Sequence, residues 1–285
     1  MRHILRIFGG ALAGGLISVA VLAQSTSRPD DLTAGLQEHD VPLKPLGPVN
    51  RMKEFFRGNE MIVQRAYYDN GNVAREYLYK NGKPDGISRQ YYLSGKEFSE
   101  SPYRDGKLDG IVRFFKENGE LLGESDLTGG TGTLRLFPLK SLAQPFNVEM
   151  PLKDGVEDGD EFSWYNLAGG PGSTCSVTQY AGGEREGWAV GFNSDGAVQD
   201  YTYYHQDMRH GVDCEFDSTG APKPGYPEFH INDTEVSEAE YRQAAKSDPL
   251  LAKSLDQASF WIPKLAIEAE RARIALLGGM PTTKP

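Results

Sequence analysis

Cysteine is nearly missing from this chain: Cys175 and Cys214 are the 2 cysteines among 285 residues. That excludes a disulfide-dense scaffold and the multi-thiolate ligand sets of structural zinc sites. Basic runs are missing too, and 30 Lys and Arg against 40 Asp and Glu give a net charge of -10. Nucleic-acid binders neutralise phosphates with Lys and Arg, so the balance argues against that class. Hydrophobic residues at 39% and charged residues at 25% exclude both a polytopic membrane protein and a wholly disordered chain. Catalytic motifs are absent as well. The Gly-rich stretch Ala168–Ser173 has no Gly-x-Ser-x-Gly elbow to serve, and reads as a loop between strands. No phosphate loop ends in Gly-Lys-Ser or Gly-Lys-Thr. The stretch Asp154–Asp160 puts Val156 and Tyr165 where a calcium loop needs carboxylates. His205 and His210, with Asp207 and Asp213 nearby, match no standard ligand spacing and read as solvated turn residues. No catalytic residue, metal site or cofactor is expected.

The one long apolar run lies at the start. Arg2, His3 and Arg6 precede Ile7–Ala23, and Val21-Leu22-Ala23 offers compact residues for a cut after Ala23. Residues 1–23 read as a secretory signal peptide, which places the mature chain in the periplasm or outside the cell. The competing reading is an uncleaved anchor, for which a run diluted by Gly9, Gly10, Gly14 and Gly15 is short. No cysteine lies near the cut, so a lipoprotein anchor is excluded. Cleavage removes two basic side chains and leaves 28 basic against 40 acidic, a net charge of -12, with no membrane attachment expected afterwards. Residues 24–50, carrying Pro29, Pro42, Pro45 and Pro48, read as a Pro-rich lead-in or tether.

What the chain has in excess is glycine, 33 residues, and the glycines repeat. Gly71, Gly95 and Gly119 stand 24 apart, as do Gly82 and Gly106, Gly86 and Gly110, Gly187 and Gly211, and Gly196 and Gly220. Asn-Gly or Asp-Gly steps, at Gly82, Gly86, Gly106, Gly110, Gly119 and Gly196 among others, suit the positive φ that tight hairpin turns demand. Between them the residues are aromatic or β-branched in alternation, as in Val73, Arg75, Tyr77 and Tyr79. The period predicts a mainly β fold, an elongated antiparallel meander of 24-residue repeats. Tyr79, Tyr92 and Tyr103, each set before a turn glycine, are expected as repeat framework together with Gly82, Gly86, Gly95, Gly106, Gly110, Gly119, Gly187, Gly196 and Gly211.

Tyr79 to Gly86, Tyr103 to Gly110 and Tyr91 to Gly95 carry a pattern of aromatic, two residues, Gly-Lys, two residues, Gly. It resembles the MORN-repeat variant of YwqK-type antitoxin and immunity proteins, over about 180 of the 285 residues. The later units depart from it: Glu184 follows Gly183 where Lys is expected, and Met208 stands near an expected turn. The resemblance implies a non-enzymatic repeat sheet that binds another protein, and it supplies no catalytic residues.

The organisation expected is a first array half at 51–137, an irregular insert at 138–153, a degenerate second half at 154–230 and a helical C-terminal segment at 231–285. There Ser237 and Glu240 form a capping box with Val236 and Tyr241 as the staple. Ser247-Asp248-Pro249 should stop that helix, and a second should open near Pro263. Both helices are expected to cap the sheet. Export permits a disulfide between Cys175 and Cys214, but three strand steps on this reading set them too far apart to bridge unless the sheet coils tightly. Two functions follow. One is a protein-binding module presenting an aromatic face and acidic rims to a partner of opposite charge, such as a basic toxin. The other is a cell-envelope adhesion or glycan-binding protein using stacked aromatics, which the scarcity of tryptophan disfavours.

Overall fold

The computed structural model describes residues 32–42, 48–139, 146–167 and 170–255. The signal region with Ala23, residues 24–31 and 43–47 of the lead-in and the stretch near Pro263 lie outside them. Gly-centred turns divide the chain into short strands, and the fold is mainly β, with two antiparallel sheets in meander order. Two units are distinguished, residues 1–145 with 152–156 and residues 146–151 with 157–285.

The first unit holds β1 (Gln37–Val41), β2 (Val49–Arg57), β3 (Glu60–Tyr68), β4 (Val73–Lys80), β5 (Lys83–Pro84) and β6 (Gly86–Tyr91). It continues through β7 (Glu97–Arg104), β8 (Lys107–Leu108), β9 (Ile111–Phe115), β10 (Leu121–Asp126) and β11 (Gly132–Leu136). Its sheet runs β1-β2-β3-β4-β6-β7-β9-β10, with β5 on β4 and β8 on β7. Next come β12 (Phe146–Lys153), β13 (Val156–Glu157), β14 (Gly159–Leu167), β15 (Gly170–Ala181) and β16 (Glu184–Phe192). The last strands are β17 (Val198–His205), β18 (Met208–Glu215), β19 (Glu228–Ile231) and β20 (Thr234–Val236), before helix α1 (Glu238–Ala244). In the second unit the order β14-β15-β16-β17-β18-β19-β20 follows the sequence.

Two kinds of turn alternate. One is a four-residue turn closed by a left-handed glycine, in which Gly71, Gly95 and Gly119 donate to the carbonyls of Tyr68, Tyr92 and Lys116 at 2.9, 2.8 and 2.8 Å. Gly196 and Gly220 repeat this in the second unit. The other is a two-residue turn with positive φ at both positions: Asn81-Gly82, Asp105-Gly106, Asp154-Gly155, Gly182-Gly183, Gln206-Asp207 and Asn232-Asp233. This is the mirror-image hairpin turn that matches strand twist. Gln206-Asp207 and Asn232-Asp233 achieve it without glycine, which is why the sequence shows no turn glycine beside Met208.

Gly86 and Gly110, expected at hairpin turns, lie outside them, a correction to the sequence reading, and they share a packing constraint with the framework glycines Gly187 and Gly211. A Cβ on each would meet the residue eight positions earlier: Leu78 at 3.2 Å, Pro102 at 2.7 Å, Gln179 at 2.4 Å and Tyr203 at 2.4 Å. The 24-residue period at these positions therefore records close strand packing, joined at Gly86, Gly110 and Gly187 by a positive φ.

Three boundaries also change. The lead-in contains β1, which pairs with β2 in the register Asp40↔Lys53. Its polar, exposed residues suit an edge strand and hid it from a periodicity search. The expected irregular insert contains β12. Pro151 there uses only its carbonyl, which accepts from Asp158 N at 3.1 Å as Pro102 accepts from Asp109 N at 3.0 Å. Finally, Pro249 begins helical residues 249–255 instead of only ending α1. Asp248 Oδ1 accepts from Leu250 N at 2.9 Å, so Asp248 caps and proline fills the first helical position. The Ser237–Glu240 capping box on α1 is present.

The aromatic rings form the core rather than an exposed face. Phe98 packs edge-on between Tyr92 and Phe114, at centroid separations of 5.3 and 5.5 Å. In the second unit Val177, Trp188, Val190, Phe192 and Tyr203 cluster, and Val212, Phe229, Tyr241 and Leu251 make a second cluster. Each such ring contributes roughly 1.5–3 kcal/mol by leaving water. Among the described residues the exposed large hydrophobics are Leu32, Leu93 and Leu121. Cys175 and Cys214 sit on β15 and β18, three strand steps apart.

Candidate functional site

One row of residues crosses the first sheet perpendicular to its strands. Backbone pairing sets Asp40 opposite Lys53, Lys53 opposite Arg65 and Arg65 opposite Glu76. Glu76 faces Arg89, Arg89 faces Glu100, Glu100 faces Arg113 and Arg113 faces Glu124. From Arg65 onward the charge alternates at every strand. Arg65 Nε donates to Glu76 Oε2 at 2.7 Å, with side-chain exposures of 5% and 0%. Arg89 reaches Glu100 at 3.3 Å and Arg113 reaches Glu124 at 3.1 Å, the latter pair open at 24% and 49%. The period of 24 is present in the sequence at Arg65, Arg89 and Arg113 and at Glu76, Glu100 and Glu124, where the denser glycine repeat masks it. Burial, and next the Glu100 charge, pushes Glu97 up to about 7 beside this row.

At the two-residue-turn end of β2 to β5 the surface opens into a groove. Leu32, Ile62, Leu78 and Tyr79 line it, and Arg57, Glu60, Lys80 and Asp85 stand around it. An adjoining hollow adds Phe56, Met61 and Gly82. Glu60 Oε1 accepts from Asn81 N at 3.2 Å, tying the rim to the turn. Burial, followed by Tyr77 and Glu54, raises Tyr79 to about 12, so its hydroxyl stays protonated and able to donate. At the opposite end of the strands a smaller depression takes Phe115, Lys96, Glu97 and Glu117.

The framework tyrosines do not share one environment. Tyr79 and Tyr103 occupy equivalent places, opposite Pro84 and Leu108; Tyr103 is buried, whereas Tyr79 is half-buried in the groove. Tyr92 stands at the other end and is the equivalent of Tyr68. Their hydroxyls donate to the carbonyls of Phe115 and Tyr91, at 2.9 and 2.6 Å, and so tie consecutive turns together. Gly82 and Gly106 lie in the two-residue turns and Gly95, Gly119 and Gly196 in the four-residue turns.

His205 bonds Glu186 at 2.9 Å and Asp207 bonds Arg185 at 3.1 Å. His210, expected as a solvated turn residue, is instead buried on β18 and bonds Asp248 at 3.1 Å. Asp213 instead meets Glu228 and His230. The sequence signal for that trio was small: Glu228 and His230, two apart, share a strand face. Their meeting with Asp213 depends on a register set across residues 216–227.

A family model described as a MORN repeat variant matches residues 62–81. That segment runs from Ile62 in β3 to the turn residue Asn81 and supplies much of the groove. Comparison with curated proteins finds no match. No helix among the described residues is long and apolar enough to cross a membrane.

Proposed function

We propose that this chain is an exported, non-enzymatic repeat protein that binds another protein, docking it in the groove of Leu32, Ile62, Leu78 and Tyr79. The observation that carries the reading is the coincidence of this groove with the segment matched as a MORN repeat variant. An apolar floor with a charged rim is the anatomy of a protein interface, and Tyr79 adds a protonated donor at low entropic cost. Tyr68, Phe98, Tyr103 and Phe114 are buried in the core and present no competing aromatic face. On this reading the partner carries basic charge, as a toxin met by an immunity protein or antitoxin would, since the mature chain has 28 basic against 40 acidic side chains. The glycan reading loses ground: Trp164 and Trp188 are 0% and 2% exposed and offer no stacking platform.

Pull-down from a cell-envelope extract, followed by titration of the recovered protein, tests this. Leu32→Glu should weaken binding by about tenfold or more, while Leu121→Glu, in the far end of the strands, should not. The affinity should also fall with added salt. Recovery of polysaccharide with no protein, or loss of binding in Leu121→Glu alone, would overturn the assignment.

A further inference from the structure

We infer that Asp213, Glu228 and His230 form a binding site for one zinc-class divalent ion, a function independent of the groove. Asp213 on β18 is the direct backbone partner of Glu228 on β19. His230, two residues along β19, turns the same way, so the pleat itself brings an imidazole and two carboxylates together. One ligand atom from each lies within 4.8 Å of the other two.

The second observation is the state of His230. Its side chain is 1% exposed, and Nε2 stands 3.8 Å from Glu228 Oε2, beyond hydrogen-bond range. Among the described residues neither ring nitrogen has a hydrogen bond, and Nε2, the one turned to Glu228, is open to an ion that would offset the cost of burying it unpaired.

The donor set selects the ion. Imidazole with two carboxylates suits zinc and its neighbours, whereas calcium and magnesium take oxygen alone. Tetrahedral zinc bonds of about 2.1 Å set donors roughly 3.4 Å apart, so binding draws the trio in from 3.8 Å between His230 and Glu228 and from within 4.8 Å overall. Thr202 Oγ1 donates to Asp213 Oδ1 at 3.1 Å and holds that carboxylate in place. Arg209, 3.5 Å from Asp213 Oδ2, supplies the countercharge to the metal-free cluster and can turn to Asp233, 4.0 Å away. Binding therefore displaces Arg209 from Asp213.

Competition against a chromogenic zinc chelator, with the full chain and zinc alone as the probe, tests the inference. One ion per chain should bind, and zinc should raise the melting temperature. His230→Ala and Glu228→Gln should each weaken binding by about tenfold or more, Arg209→Gln should tighten it, and His205→Ala should leave it unchanged. Circular dichroism establishes which variants fold, and Glu228→Gln, at a half-exposed position, keeps the test available if His230→Ala does not. Absence of zinc binding, equal binding in Glu228→Gln, or loss of binding in His205→Ala would overturn the site.

Discussion

Glycine carries two separate duties in this chain, and single substitutions tell them apart. Gly71 has a φ of +87 and open space where a Cβ would go, so Gly71→Ala meets only the backbone penalty, about 1–2 kcal/mol. Gly211 has no such φ, but its Cβ would lie 2.4 Å from Tyr203 Cβ and 2.8 Å from Ser254 Oγ. Gly211→Ala must therefore push β18 away from its neighbour and from the helical residues above it, costing about 3 kcal/mol as overpacking does. Urea midpoints should rank Gly211→Ala well below Gly71→Ala, and the reverse order would refute the distinction. A second residue-scale expectation concerns pH. Burial, followed by the Glu157 charge, raises Glu161 to about 8 from an ordinary 4.5, and Glu97 rises to about 7. Between those values the folded chain keeps protons that the unfolded chain has released. Stability contributed by these two groups is therefore fully present below about pH 4.5 and is lost as pH climbs towards about 8. Melting temperature should decline across that interval, and Glu161→Gln should flatten the decline; an unchanged slope would show Glu161 ionised in the native state.

Strands join through the Arg–Glu row, and the value of each rung depends on where it lies. Arg65 and Glu76 have given up water, so Glu76→Gln leaves a buried cation uncompensated and should cost about 3–5 kcal/mol. The equivalent change Glu124→Gln, at the open end of the row, should cost less than about 1 kcal/mol. Chemical denaturation of both variants checks this, and equal costs would mean the first pair is hydrated. The same elements show what the sequence made legible. Asn81-Gly82 and Asp105-Gly106 announce their turns because the dipeptide and the geometry are the same fact. β1 stayed hidden because an edge strand of Gln37–Val41 needs no apolar alternation. Pro249 was read as a stop because a proline that opens a helix and one that follows a helix look alike until Asp248 is seen to cap.

For the whole molecule, the period established a meander, yet could not say which face of it would be dry. Tyrosine and phenylalanine at repeat positions fit a binding ladder and a core equally well; only the burial of Tyr68, Phe98 and Phe114 decides for the core. The groove is partly legible through Tyr79, whereas Leu32, in a Pro-rich stretch with no apolar period, has no periodic neighbour to mark it. Of the trio, only the same-face spacing of Glu228 and His230 is legible in the sequence, since the register that brings Asp213 to them is fixed only once β18 and β19 pair. The alternating row across the first sheet, finally, has a bearing on how such a chain can lengthen over generations. Each 24-residue duplication adds one Arg strand and one Glu strand and leaves every neighbour oppositely charged. Loss or gain of a single strand, such as β6 with Arg89, would bring Glu76 against Glu100 in the middle of the sheet. Like charges directly opposed are destabilising, so selection should tolerate whole-unit insertions and remove half-unit ones, and the array can change its length only in even numbers of strands.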